Sequence, residues 1–178
     1  LFKAEWLTGP KGELNRRIAH DCDGIVCGLY EYYASYMAHF DQKEKLTHIP
    51  FPIIIEPHTA NNRAPKPIRF FIGIQRSRSA YKGTDIMLAA LEKLHNRYPS
   101  QTEIIRAENV PFTRYKQMMQ GSDVILDQLY SYTPAMNALQ AMSQGLVLVG
   151  GAEPEHYQLM NEPNLRPIIN VQPTEESV

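Results

Sequence analysis

A doubly wound α/β fold built on a parallel sheet is the architecture this sequence predicts, and three observations predict it. From residue 68 onward, short apolar, β-branched runs alternate with amphipathic helical stretches, the pattern of a parallel sheet covered by helices. Residues 121–151, GSDVILDQLYSYTPAMNALQAMSQGLVLVGG, read as one strand–loop–helix–strand unit. No internal repeat or low-complexity tract competes with this reading. Two parallel strands joined by a helix need a right-handed crossover. The loop before that helix then lies at the carboxyl ends of the strands, where open α/β sheets bind ligands.

Taken in order, Glu13 to His20 predicts a short helix and Gly24 to Gly28 a strand. LYEYYASYMAHF places Leu29, Tyr33, Tyr36, Met37 and Phe40 on one helical face. Those tyrosines are read as packing in preference to a stacking platform for bases. A strand is expected near Leu46 to Ile49, and residues 56–67, rich in Pro and Asn, predict a linker or long surface loop. IRFFIGI (Ile68 to Ile74) is a strand, QRSRSAYKG a polar basic loop, and TDIMLAALEKLHNRY a helix with Met87, Leu88, Leu91, Leu94 and Tyr98 inward. EIIRAENV is a strand, PFTRYKQMMQ a helix opened by Pro111, and VILDQ a strand. In the next helix Thr133 is the expected N-cap and Pro134 the first helical residue. Met136, Leu139 and Met142 recur at helical spacing, and Gly145 is the C-terminal stop. LVLV, a short EPEHYQLM helix and PIINV complete the set.

The 178 residues carry a net charge of -1, so no strong field points to nucleic acid or an acidic membrane. No run of about 18 apolar residues is present to span a bilayer. Cys22 and Cys27 lack metal-ligand spacing and make no disulfide framework, which predicts a reducing, cytoplasmic setting. The six histidines show no metal spacing. Leu1 in place of an initiating Met, and a helix-like start in TEESV, predict a piece of a longer protein.

Three loops follow strand ends and should converge on one sheet edge: residues 75–83, 128–134 and 150–154. The first holds Arg76, Arg78 and Lys82; the second ends at a helix N-terminus; the third has Gly150 and Gly151, which permit close backbone approach. Cations beside a helix N-terminus suit a diphosphate. On composition alone a solvated basic loop is the preferred reading. No G-x-G-x-x-G follows a strand and no Walker Lys-Ser/Thr pair exists, against NAD and ATP by the usual routes.

Three motifs in order resemble the carboxyl-terminal nucleotide-sugar domain of retaining glycosyltransferases of the GT-B fold, the group 1 or family 4 class. FFIGIQRSRSAYKGTDIMLAAL is similar to that family's strand, basic loop and Lys-Gly helix start. The 121–151 stretch resembles its strand, donor-binding loop and helix, and GGAEPEHYQLM resembles the turn that follows. GIVCGLYEYYASYMAHFDQKEKLTHIPF is similar to the segment that leaves the acceptor domain, so the resemblance covers roughly residues 20–178. It implies half of a GT-B fold: residues 1–55 as the end of the acceptor domain and crossover, 56–67 as linker, and 68–178 as a donor-binding domain truncated at both ends.

The resemblance also implies roles. Lys82 matches the donor-diphosphate lysine, and Arg76 or Arg78 the arginine paired with it. Tyr132, Thr133, Pro134 and Ala135 form the donor loop and helix start. The family places one Glu before the loop helix and another eight residues on; here those positions are Tyr132 and Gln140. Gln140 can still bond a ribose diol through its amide, with less charge assistance, or be a surface helix residue. Tyr132 offers a hydroxyl but no carboxylate. Asp127 either replaces the missing carboxylate or is a capping or solvated Asp. Glu153 and Glu155 either contact sugar or complement a helix dipole. No catalytic residue is assigned, because the family's acceptor-side base lies in the other domain. The implied substrate is a nucleotide diphosphate sugar of UDP or GDP type, with no separate cofactor and no metal. The implied activity is hexosyl transfer, to a glycan or lipid-linked acceptor, with peripheral membrane association of the full-length protein in the latter case. This stretch alone is expected not to turn over. The alternative is a degenerate domain that binds a nucleotide or partner without transfer.

Overall fold

The computed structural model describes residues 7–55 and 67–178; nearly all of the expected linker lies outside the described residues. The chain divides into two compact units, Leu1–Phe51 and Pro52–Val178.

In the first unit, α1 (Gly9–Asp21) and α2 (Tyr30–His39) accompany a two-stranded parallel sheet of β1 (Ile25–Cys27) and β2 (Leu46–His48), with Ile25 opposite Leu46. The aromatic face expected on α2 is present but only half-buried: no residue of that helix is fully enclosed. Its aromatic contacts are local, with Tyr36 stacked on Phe40 at 4.6 Å and Tyr33 edge-on to His48 at 6.2 Å.

The second unit is the doubly wound sheet. Its elements are β3 (Ile68–Ile74), α3 (Ser79–Lys82), α4 (Thr84–Arg97), β4 (Thr102–Glu108), α5 (Phe112–Met119), β5 (Val124–Leu126), α6 (Met136–Ser143), β6 (Val147–Gly150), α7 (Pro154–Leu159) and β7 (Ile169–Asn170). The strand order is β4-β3-β5-β6-β7 and every pair is parallel. The order reverses at β3/β5: β4 lies on one side of β3, while β5 and all later strands lie on the other. Such a reversal leaves a crevice at the carboxyl ends of the two strands, because the helices that follow them cover opposite faces.

Strand alternation divides the core accordingly. Phe71, Ile125 and Leu148 point to the face covered by Met119 of α5, Ala138 and Ala141 of α6, and Tyr157 of α7. Ile72, Ile74 and Leu126 point to the face covered by Met87 and Leu91 of α4. On α4, Leu94 and Tyr98 are exposed, contrary to the inward positions expected of them. Tyr98 is the C-cap of that helix, its carbonyl accepting from Thr102 Oγ1 at 2.9 Å while Arg97 lies over its ring at 5.3 Å. On α6 the deepest residues are the alanines, which let the helix approach closely, while Met136 is 48% exposed. The closing TEESV segment forms a turn, with the Ser177 N–H donating to the Thr174 carbonyl at 3.2 Å.

Phe71 is fully buried on the more populated face. Phe71→Ala should cost about 3–5 kcal/mol of unfolding free energy, read from chemical denaturation. A loss below about 1 kcal/mol would show that this face is not packed as described.

Candidate functional site

The three loops expected to converge do so through backbone hydrogen bonds. The Leu129 N–H donates to the Lys82 carbonyl at 2.8 Å, joining the loop after β5 to the end of α3. The Gly151 N–H donates to the Gln128 carbonyl at 2.8 Å, and the Glu153 N–H to the Tyr132 carbonyl at 3.2 Å, joining it to the turn after β6. Glycines make these approaches feasible. Gly83 has φ +73°, and a Cβ there would sit 2.9 Å from Leu129 Cβ. A Cβ on Gly151 would sit 2.3 Å from the Ser131 carbonyl oxygen, so any side chain would push the loop away. The close approach anticipated for Gly150 and Gly151 is therefore made to the neighbouring loop.

That packing corrects the start of α6. The helix begins at Met136 with Ala135 as N-cap, so Thr133 is not the N-cap and Pro134 is not the first helical residue. Thr133 is buried, its N–H donating to Ser131 Oγ at 3.3 Å while that hydroxyl donates to the Thr133 carbonyl at 2.7 Å. The loop folds on itself against Gly151 before the helix can start. Among the described residues no side chain caps α6. Its first-turn N–H groups lack intrahelical acceptors and carry the positive end of the helix dipole.

The basic loop is more ordered than expected: a 3-10 turn over Arg76–Arg78 runs into α3. Its three cations part ways. Arg76 pairs with Glu108 at the end of β4, on the side of β3 away from β5, and Arg106 pairs with the same carboxylate at 2.7 Å. Arg76 first, then Arg106, hold that carboxyl below its ordinary range. Arg78 lies over the Tyr81 ring at 5.4 Å. Lys82, by contrast, stands at the β3/β5 crevice, joined by its own carbonyl to the loop after β5. Among the described residues no carboxylate lies within ion-pair distance of its ammonium.

Gln140 lies in α6 on the face shared with Met136, away from Ala138 and Ala141. Its Nε2 donates to Ser143 Oγ at 3.4 Å. Tyr132 is 44% exposed and Tyr130 54%, two aromatic side chains open to solvent on the loop after β5. Glu153 accepts from Asn170 Nδ2 at 3.4 Å, turning its carboxylate toward β7, and Glu155 is exposed.

Asp127 directly follows β5, and its Oδ1 accepts from Asn137 Nδ2 at 2.8 Å. Burial pushes its carboxyl above the ordinary value; the Asn137 hydrogen bond and the Lys82 charge pull it partly back. Sequence reasoning does not single out Asn137 or its further partner Tyr115. The available signal is an amide in the first turn of an otherwise apolar and small helix start, AMNAL. Among the described residues no group of three or more His, Cys, Asp or Glu is placed to hold a metal ion, and no helix is long and apolar enough to cross a membrane.

The same architecture occurs in solved glycosyltransferases. A mutant of S. aureus TarM, solved with fondaparinux, α-GlcNAc-glycerol and UDP, matches with a TM-score of 0.60 at 9% identity, over 92% of this chain and 40% of that one. The domain here is GT-B-like. The pneumococcal O-GlcNAc transferase GtfA, solved with UDP and GlcNAc, matches this GT-B-like domain with a TM-score of 0.57 at 15% identity, over 84% of this chain and 34% of that one. The lipopolysaccharide outer core galactosyltransferase WaaB, in its apo form, matches with a TM-score of 0.51 at 14% identity, over 82% of this chain and 47% of that one. The chain thus spans less than half the length of each of these enzymes. Comparison with models of known protein families finds no match, and neither does comparison with curated proteins.

A carboxyl that holds its proton more tightly folded than unfolded makes the folded state less stable as it ionises. Asp127 should therefore subtract stability as pH rises from the ordinary carboxylate value of 3.8 through its raised folded value. Asp127→Asn keeps an acceptor for Asn137 and removes the charge. It should melt above the parent at neutral pH, with the gap closing toward acid. A variant that melts below the parent at neutral pH would show the carboxylate to be favourable there.

Proposed function

We propose that this chain is the nucleotide-sugar-binding part of a retaining GT-B glycosyltransferase, with the diphosphate of a UDP- or GDP-sugar seated in the β3/β5 crevice. The observation that carries the reading is the placement of Lys82 and the uncapped N-terminus of α6 on the same sheet edge, joined by the Leu129–Lys82 backbone hydrogen bond. The UDP complexes of TarM and GtfA support the choice of ligand class. As the bond from the anomeric carbon to the diphosphate oxygen breaks, negative charge grows on the leaving diphosphate. A lysine and oriented N–H groups stabilise that charge more than they stabilise the bound substrate, which lowers the barrier.

In this reading Tyr132, Thr133, Pro134 and Ala135 shape the loop that covers the donor, and Gln140 receives the ribose hydroxyls through its amide. Arg76, held by Glu108, would join only by changing partner; Arg78 borders the site through Tyr81. Residues 1–55 belong to the acceptor side and its crossover, and the acceptor is a glycan or lipid-linked hydroxyl met by the rest of the protein. Catalysis in a two-domain cleft leaves this stretch alone able to bind but not to turn over. The full-length protein works in the cytoplasm, at the membrane surface when its acceptor is lipid-linked.

Lys82→Ala should weaken UDP or GDP binding at least about tenfold in titration calorimetry, the loss of a charged hydrogen bond worth about 1.5–3 kcal/mol. Absence of heat and of any thermal shift with both nucleotides would sink the assignment.

A second reading is favoured by one observation: Tyr132 and Gln140 stand where the resembled family has carboxylates, and the carboxylate of Glu153 is engaged toward β7. A donor domain without them would bind a nucleotide and transfer nothing. Donor hydrolysis measured on the full-length protein and on its Tyr132→Glu variant separates the two. Activity that rises in the variant marks a weakened transferase; silence in both marks a binding module.

A further inference from the structure

Tyr115 belongs to α5, outside the three loops, yet it is wired into the candidate site. Its ring meets Phe71 edge-on, with centroids 5.0 Å apart. Its hydroxyl donates to Asn137 Oδ1 at 2.9 Å, and Asn137 Nδ2 donates to Asp127 Oδ1 at 2.8 Å. The relay runs from α5, through the first turn of α6, to the end of β5.

The relay has a direction set by chemistry. An ionised carboxylate only accepts, so Asp127 takes the amide N–H of Asn137 and leaves the amide oxygen for a donor. Burial holds the Tyr115 hydroxyl protonated well past its ordinary range, so a donor is always there. One amide therefore ties α6 to two other elements, using both of its ends.

The β3 strand makes room for this hydroxyl. A Cβ on Gly73 would lie 2.3 Å from Tyr115 Oη, while Gly73 is not among the glycines with positive φ. Its missing side chain therefore serves space, not backbone conformation. A glycine inside a strand weakens the strand. Here that cost accompanies the passage of a single hydroxyl over the sheet.

We propose that Tyr115, acting through Asn137, is a positioning residue for the candidate diphosphate site, holding the first turn of α6 where its N–H groups face the crevice. The inference rests on reading that crevice as a diphosphate site. Tyr115 touches no ligand in this account; it sets the pose of groups that do.

Tyr115→Phe keeps the ring against Phe71 and deletes only the donor. Titration calorimetry with UDP and GDP should show binding weakened about three- to tenfold, the range of one hydrogen bond. Asn137→Ala should lose a similar factor, and the double variant no more than the larger single loss, because both changes break one relay. Hydrogen exchange supplies a readout free of ligand. The Leu139 amide, which donates to the Ala135 carbonyl at 3.0 Å, closes the first turn of α6 and should exchange faster in Tyr115→Phe. Amides of α4 should not change. A purely structural role would lower the melting temperature and leave nucleotide affinity at the parent value, and that result overturns the proposal. Unchanged exchange at Leu139 overturns it as well. If the parent chain binds neither nucleotide, the diphosphate reading fails, and exchange at Leu139 alone then decides whether the relay positions α6.

Discussion

The candidate site depends on loops that are allowed to touch. Buried N–H and carbonyl groups must find partners, and here the loop after β5 finds them in its neighbours: Leu129 with Lys82 on one side, Gly151 with Gln128 on the other. Neither contact would survive a side chain at Gly83 or Gly151, where a Cβ would come within 2.9 Å and 2.3 Å of the facing loop. A lysine and a helix terminus from distant stretches of sequence are thereby set on one edge. The sheet order supplies the crevice and the glycines bring its rims together.

Electrostatics at that edge is a matter of what has been taken out of play. Glu108 occupies Arg76 and Arg106, and Asn170 occupies Glu153. Asp127, the acid in the relay, is turned to an amide instead of to Lys82. Lys82, with no carboxylate within ion-pair distance among the described residues, lies on the same sheet edge as the start of α6, an arrangement suited to a compact anion.

The fold is legible in the sequence because its signals are local. Ile68 to Ile74 begins and ends where its apolar run does, and the alternation of Phe71 and Ile72 between two faces follows from strand geometry alone. The start of α6 is not legible in the same way. Thr-Pro is a strong local helix signal, whereas the force that overrides it is the approach of Gly151, from beyond the helix and the next strand. Leu94 and Tyr98 fit a helical period, but the period does not say how much of the helix face its neighbours cover. At the site, Lys82 can be placed from its strand–loop–helix setting. The partner of Arg76 cannot, since Glu108 enters through a different strand, and the Tyr115–Asn137–Asp127 relay joins three elements that no sequence spacing connects.

The grip of Glu108 on Arg76 has one further consequence. The Arg76 side chain is 77% exposed, and ion pairs so open to water are weak and easily screened by salt. Such a tether acts as a latch and not a rivet. In the proposed site a polyanion would compete for the guanidinium against a largely enclosed carboxylate that Glu108 also shares with Arg106, and Arg106 would stay behind to neutralise the acid released. On the proposed reading Arg76 is thus a second positive charge in reserve, recoverable by the swing of one side chain.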